Sequence, residues 1–218
     1  ARWHEISMLG REVALYKRLV EKIRRVSFFT YGDREDLAFR KELGGIRLFT
    51  NWYGSEKWHY RLMNRVRPVL WKRPVIIKTN QVHGADFAAQ VAKKHGIPLL
   101  VRLGYMASFH AAEKHGKDSD EYALTLEREK AAFQNADRIV VTTGEIKSRI
   151  VELHSPEAQI TVIPNYVDTE LFKPAETESE DGLLCCIGRL DPQKNYHALL
   201  EAISGLDVRI IIVGSGPL

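Results

Sequence analysis

Cysteine is scarce in this 218-residue chain: the two present, Cys185 and Cys186, sit side by side in an apolar run. Adjacent cysteines suit neither a disulfide framework nor metal-ligand spacing, so both are excluded and the pair reads as strand core. Long apolar runs are also lacking. None approaches the roughly 20 residues of a membrane-crossing helix, and no leader-like segment opens the chain, so the expected compartment is the cytoplasm. An excess of one charge is missing too: 32 Lys and Arg against 28 Asp and Glu leave a formal +4. The basic residues are scattered and no known nucleic-acid module appears, so no nucleic-acid partner is expected. Internal repeats and low-complexity segments are absent. What remains, 44% hydrophobic and 28% charged residues, is the balance of an ordinary globular protein.

Strand-like and helix-like segments alternate along the chain. Residues 10 to 25 have helical spacing, with Val13, Tyr16, Leu19, Val20 and Ile23 on one face and Lys17, Arg18, Lys22 and Arg24 on the other. Strands are expected at Val26 to Tyr31, Ile46 to Phe49, Val75 to Ile77, Leu99 to Leu103, Ile139 to Val141 and Ile160 to Ile163. Most are separated by ten or more residues, enough for crossovers between parallel strands. The expected fold is a doubly wound α/β sheet. A polar, acidic stretch bounded by Lys173-Pro174 and Asp181-Gly182 reads as a linker. After it the rhythm restarts with a strand at Leu183 to Ile187, a helix at Tyr196 to Ile203 and a strand at Val208 to Val213. The expected domains are therefore 1–172, a linker at 173–182, and the beginning of a second α/β domain at 183–218. The start at Ala1 and the stop soon after a glycine turn make the chain read as a piece of a longer one.

The sharpest local signal is Ile187-Gly188-Arg189-Leu190-Asp191-Pro192-Gln193-Lys194. A strand ends at a glycine, and a turn then presents one arginine and one lysine before a helix. Ligands of open α/β sheets bind beyond the carboxyl ends of strands, where backbone N–H groups favour anions. A planar guanidinium and a point-charge ammonium there suit a diphosphate. A solvated loop with two ordinary surface cations fits the same residues.

Three segments in order carry a resemblance: Ile163-Pro164-Asn165-Tyr166-Val167-Asp168 with Leu171-Phe172-Lys173-Pro174, then Gly188-Arg189-Leu190 with Lys194, then Ile212-Val213-Gly214-Ser215-Gly216-Pro217-Leu218. Together they are similar to the interdomain signature of the family-4 glycosyltransferases, although that family usually has glycine where Tyr166 stands. The resemblance implies a GT-B fold of two Rossmann-like domains, here with the second truncated and the first lacking its first strand. It also implies that Arg189 and Lys194, with Gly188, Gly214 and Gly216, hold the diphosphate of a nucleotide-sugar donor. The implied reaction is retaining transfer of a hexose to a hydroxyl of a glycan, lipid carrier or small metabolite, as in polysaccharide biosynthesis. Neither metal nor other cofactor is implied. The family's paired donor glutamates would fall beyond Leu218, so the catalytic residues are unknown and this chain alone is expected to be inactive.

The first domain continues the resemblance through Trp3-His4-Glu5 with Gly10-Arg11-Glu12, through Lys78-Thr79-Asn80-Gln81 with Gly84-Ala85, and through Arg102-Leu103-Gly104-Tyr105-Met106-Ala107-Ser108. The last two follow strands and should emerge at the carboxyl edge of the sheet. Asn80 and Gln81 both donate and accept hydrogen bonds, as sugar hydroxyls require. Arg102 suits an acceptor phosphate or carboxylate, Tyr105 the face of a sugar, and Ser108 completes the candidate acceptor set. Helix capping by Asn80 and Gln81, and pairing of Arg102 with a structural carboxylate, are equally open. Many relatives carry a histidine near the position of Gly104, and His83 and His110 are the nearby substitutes. His59, His95, His115 and His154 show no paired ligand spacing.

Arg61 to Arg73 interleaves cations with Leu, Met, Val and Trp. It suits either peripheral contact with anionic lipid or a packed helix with its arginines in water. Two rival classes share the α/β rhythm. A nicotinamide-dependent oxidoreductase would need a glycine fingerprint between first strand and first helix, which is not found. A non-catalytic nucleotide- or sugar-binding module would keep the cleft and lack the donor glutamates.

Overall fold

The computed structural model describes residues 9–52, 54–55, 75–174 and 179–218. Trp3-His4-Glu5, His59, the Arg61 to Arg73 segment and residues 175–178 of the expected linker lie outside the described residues. The chain forms two compact units, Ala1–Asn165 and Tyr166–Leu218.

In the first unit, α1 (Leu9–Lys22) leads into β1 (Ser27–Phe29). A 3₁₀ segment at Arg34–Leu43 then leads into β2 (Arg47–Phe49). Strands β1 and β2 pair in parallel. Beneath them is a small core of Val13, Leu43 and Ile46, joined by Tyr16, Val20 and Phe28. Ile23, expected on the buried face of α1, is exposed because the helix stops at Lys22 and the apolar stripe stops with it.

The larger sheet holds β3 (Ile77–Lys78), β4 (Leu99–Leu103), β5 (Arg138–Val141) and β6 (Gln159–Val162), all parallel and in sequential order. The helices between them are α2 (Ala85–His95), α3 (Ala107–His115), α4 (Asp120–Gln134) and α5 (Gly144–His154). Their starts have local causes. Ser119 caps α4 by accepting from the Tyr122 amide, and Thr143 caps α5 by accepting from the Ile146 amide, each satisfying a free first-turn donor. Gly96 ends α2 in the left-handed region, where a side chain would be strained.

Strand β4 organises the core. Leu99, Val101 and Leu103 are buried on one face with Ala89, Phe133, Ile139 and Ile150, while Leu100 and Arg102 point to the other. The short β3 pairs Ile77 with Leu99 and Lys78 with Leu100. In a parallel pair, residues in register share a face. Ile77 therefore packs on the core, and Lys78 emerges on the face of Arg102. The expected strand at Val75 to Ile77 is displaced accordingly, and Ile76 stands exposed.

In the second unit, β7 (Leu183–Ile187) and β8 (Arg209–Val213) pair in parallel along five residues. Between them lie a 3₁₀ turn at Pro192–Lys194 and α6 (Tyr196–Ala202). Cys185 and Cys186 lie in the expected strand but not in a core: Cys185 is exposed and Cys186 half-buried. One short helix cannot cover both faces of a two-stranded parallel sheet, the kind of sheet normally buried on both sides. The described helices include none long and apolar enough to cross a membrane.

Candidate functional site

The carboxyl ends of β3 and β4 bring several polar groups of the first unit together. Lys78 leaves its strand toward α1, where its ammonium donates to the Tyr16 hydroxyl at 2.6 Å and lies 5.1 Å from the centre of that ring. Asn80 closes the group: its Oδ1 accepts from Tyr16 at 3.2 Å and from Lys78 at 3.4 Å, and its Nδ2 donates to Glu12 at 3.4 Å. Tyr16 also meets Phe28 edge-on with ring centres 4.8 Å apart, so one helix residue both packs the small core and faces the site. Arg102 donates from Nη2 to Asn165 Oδ1 at 2.6 Å, and its backbone amide donates to the Thr79 hydroxyl. The alternative of a structural carboxylate partner is not met at this contact: an amide oxygen takes the place, which leaves the guanidinium charge uncompensated there.

The electrostatics follow from this crowding. Although Lys78 is exposed as a whole residue, its ammonium is tucked against Tyr16, and that desolvation, reinforced by Arg102, lowers its pKa from 10.5 to about 8. Glu12 opposes the shift. Tyr16 is pushed above its ordinary value, chiefly by burial and further by Glu12, with Arg102 acting against. Below about pH 8 Lys78 is charged folded or unfolded, and the cost of desolvating it stands in full. Between about 8 and 10.5 the unfolded chain keeps a proton that the folded chain has shed, so that cost fades as pH rises. Lys78 is therefore expected to be acylated at pH 8 ahead of the exposed Lys94 when an amine-selective reagent is mapped by mass spectrometry. Equal rates at the two lysines would contradict the arrangement.

Gln81 lies beside this group with its Oε1 buried and unpartnered among the described residues. Tyr105 is 53% exposed at the start of the β4–α3 connection. It borders a cleft of about 250 Å³ whose other walls include Asp86, Phe87, Thr125 and Arg128. Ser108 is set differently from these four neighbours in the candidate set. It is fully enclosed, its hydroxyl has no partner among the described residues, and its amide donates to the buried Glu129 at 2.9 Å. Glu129 Oε2 in turn meets His154 Nε2 at 3.2 Å, so a histidine without ligand-like spacing belongs to a buried pair. His83 packs edge-on to Tyr31 and its carbonyl accepts from the Tyr31 hydroxyl, while His110 is exposed on α3. At Gly104 a Cβ would meet only Thr142, at an ordinary 3.8 Å.

In the second unit, the loops after β7 and β8 lie against one another. The Leu190 amide donates to the Ser215 carbonyl, and the Leu218 amide donates to that of Leu190. A Cβ at Gly214 would collide with the Gly188 carbonyl oxygen, and one at Gly216 with that of Leu190. Both glycines therefore permit close backbone approach. Gly188 is itself closed in by the Tyr196 hydroxyl and the Lys194 stem, 3.1 and 3.9 Å from where a Cβ would lie. The Lys194 stem thus crosses back over the strand end. Arg189 is 69% exposed and only loosely paired with Asp191 at 3.8 Å, while Asp191 caps the turn by accepting from the Gln193 amide. Among the described residues the turn thus presents two cations, Arg189 with only its loose pairing to Asp191 and Lys194 with no ion pair. The described residues contain no cluster of three or more His, Cys, Asp or Glu able to hold a metal.

Glu12, Tyr16, Lys78 and Asn165 carry much of the first cluster, yet sequence reasoning gave none of them a binding role. The clue for Lys78 was strand parity, which becomes usable only once the β3–β4 register is known.

Comparison with known proteins gives the site its context. The sequence model of Glycosyltransferase Family 4 matches residues 13–171. The D-inositol 3-phosphate glycosyltransferase of Mycobacterium ulcerans (strain Agy99) is 27% identical over 131 residues, which cover 56% of this chain and 28% of that protein. Its counterpart in Mycobacterium avium (strain 104) is 25% identical over 131 residues, 56% of this chain and 31% of that protein. Among solved structures, Anabaena Alr3699/HepE in complex with UDP-glucose superimposes with a TM-score of 0.66 at 16% identity, over 94% of this chain and 57% of that one. Arabidopsis thaliana UGT89C1 complexed with quercetin gives 0.54 at 13% identity, over 96% and 65%. These structures share the GT-B fold. The matched segment spans less than a third of the length of these curated relatives.

Proposed function

This chain belongs to glycosyltransferase family 4, and from that premise we propose that its protein transfers a hexose from a nucleotide-diphosphate sugar to an acceptor hydroxyl, with retention of configuration. The acceptor is a glycan, a lipid-linked glycan or a small metabolite, and the compartment is the cytoplasm. No metal or other cofactor takes part. The turn after β7 takes the donor diphosphate: Arg189 offers a guanidinium fork and Lys194 a point charge to the departing phosphates. Fixed positive charge at a leaving group stabilises the transition state more than the ground state. Because the curated relatives are far longer than the matched segment, turnover is proposed for a protein of that length, and these 218 residues alone are expected to bind without turning over.

The first unit takes the acceptor. One observation carries this reading: the family match spans every strand of that unit, including the ends of β3 and β4 where Lys78, Asn80 and Arg102 gather around Tyr16. Arg102 and Lys78 face an anionic group of the acceptor, Asn80 and Gln81 read hydroxyls, and Tyr105 offers an aromatic face. In the full-length protein, Asn80→Ala, Gln81→Ala and Arg102→Ala are each expected to raise the acceptor KM about tenfold, the weight of one lost hydrogen bond to a charged or polyhydroxyl ligand. The donor dissociation constant should change little. Steady-state kinetics with calorimetric donor titrations separates the two, and a donor defect matching the acceptor defect would refute the assignment.

A further inference from the structure

The cleft beside Tyr105 differs in chemistry from the cluster around Lys78. Tyr105 and Phe87 give it aromatic wall, and Asp86 and Arg128 give it one charge of each sign. Among the described residues no ion pair or hydrogen bond engages the Asp86 or Arg128 side chain. Opposite charges attract no net ion, but they offer what a ring of hydroxyls needs: a carboxylate that accepts and a guanidinium that donates through five N–H groups. An aromatic face with polar groups at its edge suits an apolar C–H surface bordered by hydroxyls. At about 250 Å³ the cleft lies just below the range of roughly 300–1,000 Å³ typical of drug-sized ligands, so it is sized for one sugar ring and not for a nucleotide. Its walls come from the first turn of α2, the β4–α3 loop and α4, beyond the carboxyl ends of β3 and β4. Tyr105 is three residues from Arg102, and the loop before α2 starts at Asn80 and Gln81. A ligand held at the cluster would thus have this cleft as its neighbour along both loops.

We infer that the cleft is a subsite for a neutral sugar ring, and that the acceptor is a saccharide of at least two units rather than a small metabolite. This rests on the acceptor role of the first unit. The probe is a panel of neutral disaccharides and their constituent monosaccharides, titrated calorimetrically into the full-length protein and into Tyr105→Ala and Arg128→Gln variants. At least one disaccharide should bind about tenfold more tightly than either of its halves, and each variant should weaken that disaccharide clearly more than either monosaccharide. Equal affinities across the panel, or equal losses for disaccharides and monosaccharides, would overturn the subsite. Donor turnover in the same preparation keeps the two ideas apart. Turnover without a disaccharide preference rejects the subsite alone, whereas a variant-sensitive preference without turnover upholds the subsite and rejects the transferase reading.

Discussion

Replacing Glu129 by Ala is expected to destabilise the first unit by about 2–4 kcal/mol, the cost of leaving two buried polar groups without their shared partner. Glu129 is wholly buried and reaches two elements at once, accepting from the Ser108 amide at the start of α3 and meeting His154 at the end of α5. Its loss would strand the first-turn amide and the imidazole together, since Ser108 and His154 are both buried. Glu129→Gln should cost much less, because the amide oxygen can still accept from Ser108. The consequence extends to the site. Helix α3 begins two residues after Tyr105, so a loosened first turn would free the loop that carries it. Urea unfolding followed by circular dichroism gives the difference in midpoint, and a loss for Glu129→Ala no larger than for Glu129→Gln would show that the pair is not the clamp described.

How far sequence alone reached can be judged from particular residues. Strand β4 was legible to the residue because Leu99, Val101 and Leu103 alternate with Leu100 and Arg102, and the ladder uses all five. The sequence placed Arg102 only at the carboxyl edge of the sheet, and the burial pattern of the strand then gives its face. Lys78 shows the limit: it stands at the end of an apolar run, and only its pairing with Leu100 decides which face its ammonium takes. Tyr16 was legible as part of an apolar helical stripe, and its packing on Phe28 agrees, but its hydroxyl meets Lys78 and Asn80 across more than sixty residues of chain. Local periodicity carries no such information. Cys185 and Cys186 mislead for the converse reason: composition marks them for a core, yet whether a strand face is covered depends on what packs there. The Arg189 turn, by contrast, could be read from its order of residues, because a strand end, a capping Asp191 and a 3₁₀ turn fix where its two cations emerge.

Arg189→Ala in the full-length protein is expected to weaken nucleoside diphosphate binding by about 1.5–3 kcal/mol, the range for hydrogen bonds to charged groups. The matched nucleoside, which has no phosphate, should lose far less. Asp191 lies 3.8 Å from the guanidinium, a loose pairing at an exposed side chain that a phosphate can displace at little cost. Lys194→Ala should act in the same direction, and the double variant should fall short of the sum if both cations hold one phosphate. Arg189→Lys should recover only part of the loss, since an ammonium cannot reproduce the two-pronged contact. Equal losses for nucleoside and nucleoside diphosphate would mean that Arg189 only supports its loop.

The most direct test of glycosyl transfer is a donor screen on the full-length protein, in which UDP-, GDP- and ADP-hexoses are each incubated with a panel of saccharide acceptors and the products are read by mass spectrometry. One nucleotide sugar should be consumed, releasing its nucleoside diphosphate in step with an acceptor heavier by one hexose, without added metal and with the anomeric configuration of the donor retained by NMR. Binding of nucleoside diphosphates with no donor consumed and no acceptor extended across the panel would contradict transfer, and would leave a binding module in its place.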